Sequence, residues 1–358
     1  MAKKPPVHIA DLDLAERKAR AIDLGIPAFR ADQVSRQWFS RFSDDFSEWT
    51  DLPEKERGEI AEKLAPELIN KVRELTTDQG ETVKTLWKLF DEKFVESVLM
   101  HYPNRTTVCI SSQVGCGMAC PFCATGQGGL KRNLSAAEIV AQVQASARYA
   151  DRGLLPNKDA RLSNIVFMGM GEPLANFDAV VTAIKRITQP QPEGLGISAR
   201  NVTVSTVGLV PQIKKLAEVG LPLRLALSLH APDDELRDEL VPLNKRYRIS
   251  EVLKAVWDYS DEVKRRVSIE YALIKDINDQ KHRAALLAKR LKGKMVHVNL
   301  IPLNPTPGSK WTASTQKSQQ DFVDTLQNAE INVTVRDTRG SDIDGACGQL
   351  AATADDPY

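Results

Sequence analysis

The chain has 358 residues, 48 basic and 47 acidic, and is 42% hydrophobic. These are the proportions of an ordinary globular protein, and a net charge of +1 makes no compositional case for a nucleic-acid partner, whose contacts would have to be gathered locally. No run of about 18 apolar residues occurs, so no membrane span is expected. The N-terminal stretch "MAKKPPVHIADLDLAERKAR" lacks an apolar segment before a cleavage site, which argues against secretion. Five cysteines, three of them within eight positions, point to metal or redox chemistry in a reducing cytoplasm rather than to a disulfide framework.

In chain order, residues 11 to 75 read as helical. Leu12, Ile22, Leu24, Val34, Trp38 and Phe39 recur at helix-like spacing, punctuated by Pro27, Pro53 and Pro66. A small helical domain is therefore expected over 1–78. "TVKTLWKLF" and "KFVESVLM" then alternate on either side of Asp91-Glu92, predicting a β-hairpin over 79–101. From 102 to 340 strands and helices alternate. "TTVCISS", "NIVFMG", "NVTVST", "LRLALSLH", "VSIEYALI" and "VHVNLIPL" read as strands, and 135–150, 177–188, 211–219, 250–264, 280–292 and 315–329 as helices. The first helix opens on a capping box, Ser135 to Glu138. Six βα units predict a parallel sheet, curved or doubly wound, with its ligand at the C-terminal strand ends. "NVTVRDT" adds a final β-like run. Residues 341–358 form a loop carrying Cys347, then a short acidic tail expected to be disordered.

"CGMACPFC" raises the chemical question. Cys116, Cys120 and Cys123 are one ligand short of a closed metal site. Structural zinc would need Cys109 or His101 as its fourth ligand, and Cys109 lies within an expected strand. Three idle buried thiols would rarely cluster so tightly. A 4Fe-4S cluster on three thiolates, with one iron left open for a small ligand, suits both the spacing and a loop after the first core strand. Further along, "MGMGEPL" places Gly171 and Glu172 after the second strand. By itself such a run is a tight βα turn. Ser205, then Ser228, Leu229 and His230, and finally Asn304 close other strands, where a site in the βα loops would need polar groups. Taken singly, His230 reads better as a satisfied core histidine.

Together these residues resemble the radical S-adenosylmethionine (SAM) superfamily, with Phe122 also matching the cysteine signature. The resemblance implies a partial (β/α)6, TIM-like barrel. It also implies a cluster on Cys116, Cys120 and Cys123 whose open iron chelates SAM, with Gly171, Glu172, Ser205, Ser228, Leu229, His230 and Asn304 around the cofactor. Two more cysteines narrow the likeness to the RlmN/Cfr family of RNA adenine methyltransferases: Cys109, in "TTVCISSQVGCGMACPFC", and Cys347, in "RGSDIDGACGQL".

That family resemblance implies a mechanism using two SAM molecules per turnover. Cys347 is methylated by one SAM, and a radical derived from the second converts its methyl group to a methylene that adds to adenine. Glu96 removes the proton from the substituted carbon, and Cys109 then releases the product by forming a disulfide with Cys347. The implied partners are 23S rRNA and tRNA, with an external reductant for the cluster and the disulfide, and the implied state is a cytoplasmic monomer. Arg30, Arg36, Trp38 and Arg41 are the expected RNA grip. Methylation at C2 is the expected activity. The alternatives are methylation at C8 of the same rRNA adenosine, a radical-SAM enzyme acting on a small molecule or protein, and a non-enzymatic iron–sulfur or zinc protein that binds RNA.

Overall fold

A computed structural model describes residues 4–304, 306, 309–336 and 339–351. Twelve strands are seen among these residues: β1 (Ile69–Thr77), β2 (Thr82–Leu89), β3 (Phe94–Tyr102), β4 (Arg105–Cys109), the short β5 (Gln113–Val114) and β6 (Arg132–Asn133), β7 (Leu162–Phe167), β8 (Val202–Thr206), β9 (Arg224–Ser228), β10 (Val267–Leu273), β11 (Val296–Pro302) and β12 (Asn332–Val335). β5 and β6 pair with each other, and the other ten form one sheet in sequence order. Pairing is antiparallel from β1 to β4, then parallel from β4 through β7 to β12. Each new parallel strand joins the same side, so the chain winds in one direction, as in a barrel. The doubly wound alternative would reverse strand order partway.

The crossover helices are α5 (Ala136–Asp151), α6 (Phe177–Thr188), α7 (Val210–Glu218), α9 (Ile249–Val263), α10 (Lys281–Leu291) and α11 (Gln316–Asn328). The remaining helices are α1 (Leu14–Asp23), α2 (Phe29–Ser35), α3 (Arg57–Leu64), α4 (Ala124–Gln127) and α8 (Asp234–Leu240). At the start of α5, Ser135 Oγ accepts from the Glu138 amide at 3.1 Å and Glu138 returns the bond at 2.8 Å. Strand residues Val204, Leu225, Leu227, Ile269, Val298 and Leu300 are fully buried, and the register puts all six on one face of the sheet; β10 is buried on both faces, whereas β11 alternates. Among the described residues no helix is long and apolar enough to cross a membrane.

Two expectations need correction. Residues 69–77 are a strand rather than helix. This polar edge strand is held by backbone bonds to β2, and its alternation is broken by a register shift between Lys71 and Arg73. Trp38 is only 5% exposed, edge-on to both His8 and Phe39, so its ring packs inside the N-terminal region and offers no face to a base. The tail from residue 352, read above as disordered, lies outside the described residues.

His8 anchors that N-terminal packing. Its Nδ1 accepts from the Ala10 amide at 2.9 Å, and burial, then nearby Arg17, lowers the ring pKa to about 3. A buried neutral histidine must gain a proton on unfolding in acid. The stability it contributes is therefore complete above about pH 6.5 and is lost as pH falls from there toward 3. His8→Asn keeps the capping acceptor without the titration. The variant is expected to lose less stability than the parent between pH 6.5 and 5 in urea-unfolding series.

Candidate active site

The loop between β4 and α5 carries Cys116, Cys120 and Cys123. It folds back tightly on itself: the Cys116 amide donates to the Gly129 carbonyl at 3.2 Å. Gly115 has φ +74°, and a Cβ there would lie 1.9 Å from the Gly129 oxygen, so only glycine fits. The three cysteines border one cavity of about 160 Å³. Burial pushes the Cys116 thiol up to about 11 and raises Cys120 and Cys123 too, with neighbouring cysteines adding repulsion. Such thiols become thiolates when a cation is bound among them. Among the described residues, no three His, Cys, Asp or Glu side chains gather tightly enough for a single ion. Three thiols bordering one cavity, with no fourth cysteine of their loop beside them, fit a cluster held by three thiolates.

The next wall comes from the strand ends. Gly171 has φ +101°, and a Cβ there would lie 2.5 Å from the Gln113 side chain, so the turn after β7 can press against β5. Glu172 is 3% exposed; its Oε1 accepts from the Leu174 amide at 3.1 Å and its Oε2 from the Val207 amide at 2.9 Å. Burial outweighs those bonds and raises its carboxyl to about 7. A ligand ammonium would restore its charge, as the amino group of SAM can. Ser205 and Ser228, at the ends of β8 and β9, lie 3.3 Å apart through their hydroxyls. His230 Nδ1 accepts from the Ala272 amide at 3.0 Å, and burial, then Arg237, lowers its pKa to about 3, so the ring is neutral. Phe122 meets that ring edge-on at 4.9 Å and ties the cysteine loop to β9.

Gly171, Glu172, Ser205, Ser228, His230 and Asn304 all border the same cavity as the three cysteines. Leu229 does not. Its side chain is fully buried in the core, and its backbone donates to the Glu270 carbonyl and accepts from Arg237.

Residues 339–351 form a strap across the site. Asn304 Nδ2 donates to the Cys347 carbonyl at 3.0 Å, the Ala124 amide to Gly348 at 2.8 Å, and Thr125 Oγ1 to Leu350 at 2.5 Å. Cys347 thereby reaches the cysteine cavity and also a smaller one of about 30 Å³, which Cys109 borders from β4. The Cys109 thiol is pushed up to about 12 by burial and then by Cys347, against the pull of Arg336. Glu96 lies off the main cavity. It is 2% exposed, 2.7 Å from Lys84 Nζ, and accepts from the Ala351 amide at 3.0 Å. Ala351 is thus a bonded part of the strap.

Four residues with structural prominence were missed in the sequence. Glu270 and Arg336 border the cavity with 3.8 Å between them, and Glu270 is 3% exposed. One acid in the otherwise apolar run "VSIEYALI" was a usable signal for Glu270. Arg237 and Lys84 gave none, because each reads locally as a surface charge.

A singly wound parallel sheet, open at its strand ends onto three cysteines and a Gly-Glu turn, defines a radical SAM protein, and the radical SAM superfamily matches residues 110–288. The chain is 60% identical over 355 residues to a Nocardioides sp. protein named as a dual-specificity RNA methyltransferase RlmN, covering 98% of this chain and 94% of that one. A Thermobifida fusca protein of the same name is 60% identical over 349 residues, covering 98% and 96%. The crystal structure of a radical SAM methyltransferase from Sphaerobacter thermophilus superposes with a TM-score of 0.92 at 46% identity, covering 97% of this chain and all of that one. The chain belongs to the RlmN family.

Proposed function

We propose that this chain is an RNA methyltransferase that modifies C2 of an adenosine in the peptidyl-transferase centre of 23S rRNA and of the adenosine beside the anticodon in tRNA. The observation that carries this reading is the company of Cys347: it borders the cavity of the three cysteines and Glu172, with Cys109 in the adjoining one. The relatives' shared name, dual-specificity RNA methyltransferase, supports two RNA substrates.

Cys116, Cys120 and Cys123 would hold a 4Fe-4S cluster, and Gly171, Glu172, Ser205, Ser228, His230 and Asn304 would surround SAM. When bound, the cluster supplies the electron that cleaves SAM and so gives the radical needed to activate an unreactive methyl group. Adenine C2 is an electron-poor amidine carbon, so it cannot itself take the methyl group from SAM. Cys347 takes it instead, its sulfur displacing S-adenosylhomocysteine. Once a hydrogen atom has been removed from that S-methyl group, its carbon bonds to adenine and links protein to RNA, and the unpaired electron left on the adduct would pass to the external redox partner. Glu96 receives the proton from the substituted carbon. The Cys109 thiolate bonds to the Cys347 sulfur as the carbon–sulfur bond breaks; that bond's electron pair stays with the carbon, which takes up a proton to become the methyl group, and an external reductant returns the disulfide to two thiols.

RNA from a deletion strain tests this directly by nucleoside mass spectrometry. Loss of 2-methyladenosine from both 23S rRNA and tRNA is expected. Persistence of 2-methyladenosine, or loss of 8-methyladenosine in its place, would overturn the C2 assignment.

A further inference from the structure

The β2–β3 hairpin contains a feature that neither cofactor binding nor methyl transfer explains. Lys84 and Glu96 are 5% and 2% exposed, whereas Lys88, the other lysine of β2, has 38% of its side chain exposed. Antiparallel register sets Leu86 opposite Glu96, and Lys84 lies two residues along β2 on the same face, so the two form a diagonal cross-strand pair. Their charged atoms approach to 2.7 Å. Burying two charges carries a large desolvation cost, and an apolar pair of similar volume generally stabilises a fold as well or better. Retention of the ions in so dry a position calls for a chemical reason.

Lys84 has a second bond, to the Asp344 carbonyl at 3.2 Å. Asp344 lies on the strap three residues before Cys347. The strap reaches Glu96 as well, through the Ala351 amide on Oε2. Other strap bonds fix this seating, from Thr77 to Asp342 and from Arg339 to Glu81 and the His101 carbonyl. Other groups facing Glu96 are Arg73 of β1 and Asp344, which border the same small cavity, while β4 brings Cys109 opposite Val98.

We infer that Lys84 is a positioning residue for proton removal, joining the seat of the Cys347 segment to the charge on Glu96. The inference rests on the proposed role of Glu96. While the strap is seated, the Ala351 amide caps Oε2. When RNA displaces that end of the strap, Oε2 loses the cap while Lys84 still neutralises the carboxylate through Oε1. The step is a proton transfer: the carbon–hydrogen bond of the adduct breaks, its electron pair stays with the ring, and the proton goes to Glu96. Without Lys84 a buried carboxylate lacks this neutralising cation and holds its own proton to higher pH.

The test compares Lys84→Met, Lys84→Arg and Glu96→Gln in the full-length, cluster-loaded enzyme with substrate RNA. The S-methyl mark on Cys347, read by peptide mass spectrometry, is expected in all three. Lys84→Met should accumulate the covalent protein–RNA adduct on denaturing gels and, at pH well below its midpoint, resolve it about tenfold more slowly, with the pH midpoint of resolution raised by about one unit. Lys84→Arg should restore both. In the cofactor-free protein, Lys84→Met should also speed amide exchange over 344–351. A wild-type pH profile for Lys84→Met, beside accumulated adduct in Glu96→Gln, would overturn the inference. Failure of Glu96→Gln to accumulate adduct would instead overturn the role of Glu96. If Lys84→Met does not fold, Lys84→Gln, which keeps a donor without the charge, is judged by the same pH profile.

Discussion

A Cys347→Ala variant is expected to lose RNA methylation by about a thousandfold or more, the scale seen when a covalent catalytic group is removed, while still cleaving SAM once its cluster is loaded and reduced. The two activities separate because the strap is held mostly through its backbone. Asn304 grips the Cys347 carbonyl, Ala124 the Gly348 carbonyl and Thr125 the Leu350 carbonyl, and none of these bonds uses the thiol. The side chain is only partly buried, so alanine leaves neither a large void nor an orphaned partner. The three cysteines and the Glu172 turn are untouched. Methionine and 5′-deoxyadenosine formation by liquid chromatography, run beside methyl incorporation into RNA, reads both halves. Continued methylation would refute the covalent route. Loss of SAM cleavage together with methylation would mean that Cys347 belongs to the cofactor site.

The core was legible because its elements announce themselves locally. The expected strands "LRLALSLH", "VSIEYALI" and "VHVNLIPL" are nearly all apolar, and the helices between strands carry amphipathic spacing, with side-chain caps at α5 and α11. The segment expected at 177–188 is α6 to the residue, and the capping box at Ser135 forms as the sequence implied. The cysteine loop was legible for the same reason, since three cysteines lie within eight positions. The misses share a different cause. β1 is a polar edge strand whose identity comes from its bonds to β2. Lys84 and Glu96 read as solvent-facing charges of a hairpin, and only the strap, arriving from more than 240 residues away, buries that face. The strap has no regular pattern, because backbone carbonyls and amides make much of its contact. Arg237 was invisible since "DELRDEL" reads as an exposed acidic helix, and nothing local shows that one side chain turns inward.

Arg237→Met should be the most destabilising single change near the site. The side chain is fully buried, and burial lowers its pKa only to about 10, so it stays cationic at neutral pH. From α8 it donates to the carbonyls of Val207 at 2.6 Å, Leu229 at 3.1 Å and Ser228 at 3.4 Å, and to Asn244 Oδ1 at 3.0 Å. Methionine fills much of the volume but leaves these acceptors without their donor in a buried place, at about 1–3 kcal/mol for each one left unsatisfied. Partial relaxation brings the expected total to about 3–5 kcal/mol, read as a lower urea midpoint at an unchanged slope. The same carbonyls fix the ends of β8 and β9, which carry Ser205, Ser228 and His230. SAM affinity, measured calorimetrically on the folded, cluster-loaded variant, should therefore fall at least about tenfold. Arg237→Lys keeps the charge but cannot span four acceptors from one nitrogen, and should lie between. The control is Arg248→Met, which removes an exposed pair with Asp238 and should leave both readouts nearly unchanged. A wild-type urea midpoint for Arg237→Met would show that water or neighbouring donors can replace the guanidinium, and a wild-type SAM affinity would separate the strand ends from cofactor binding.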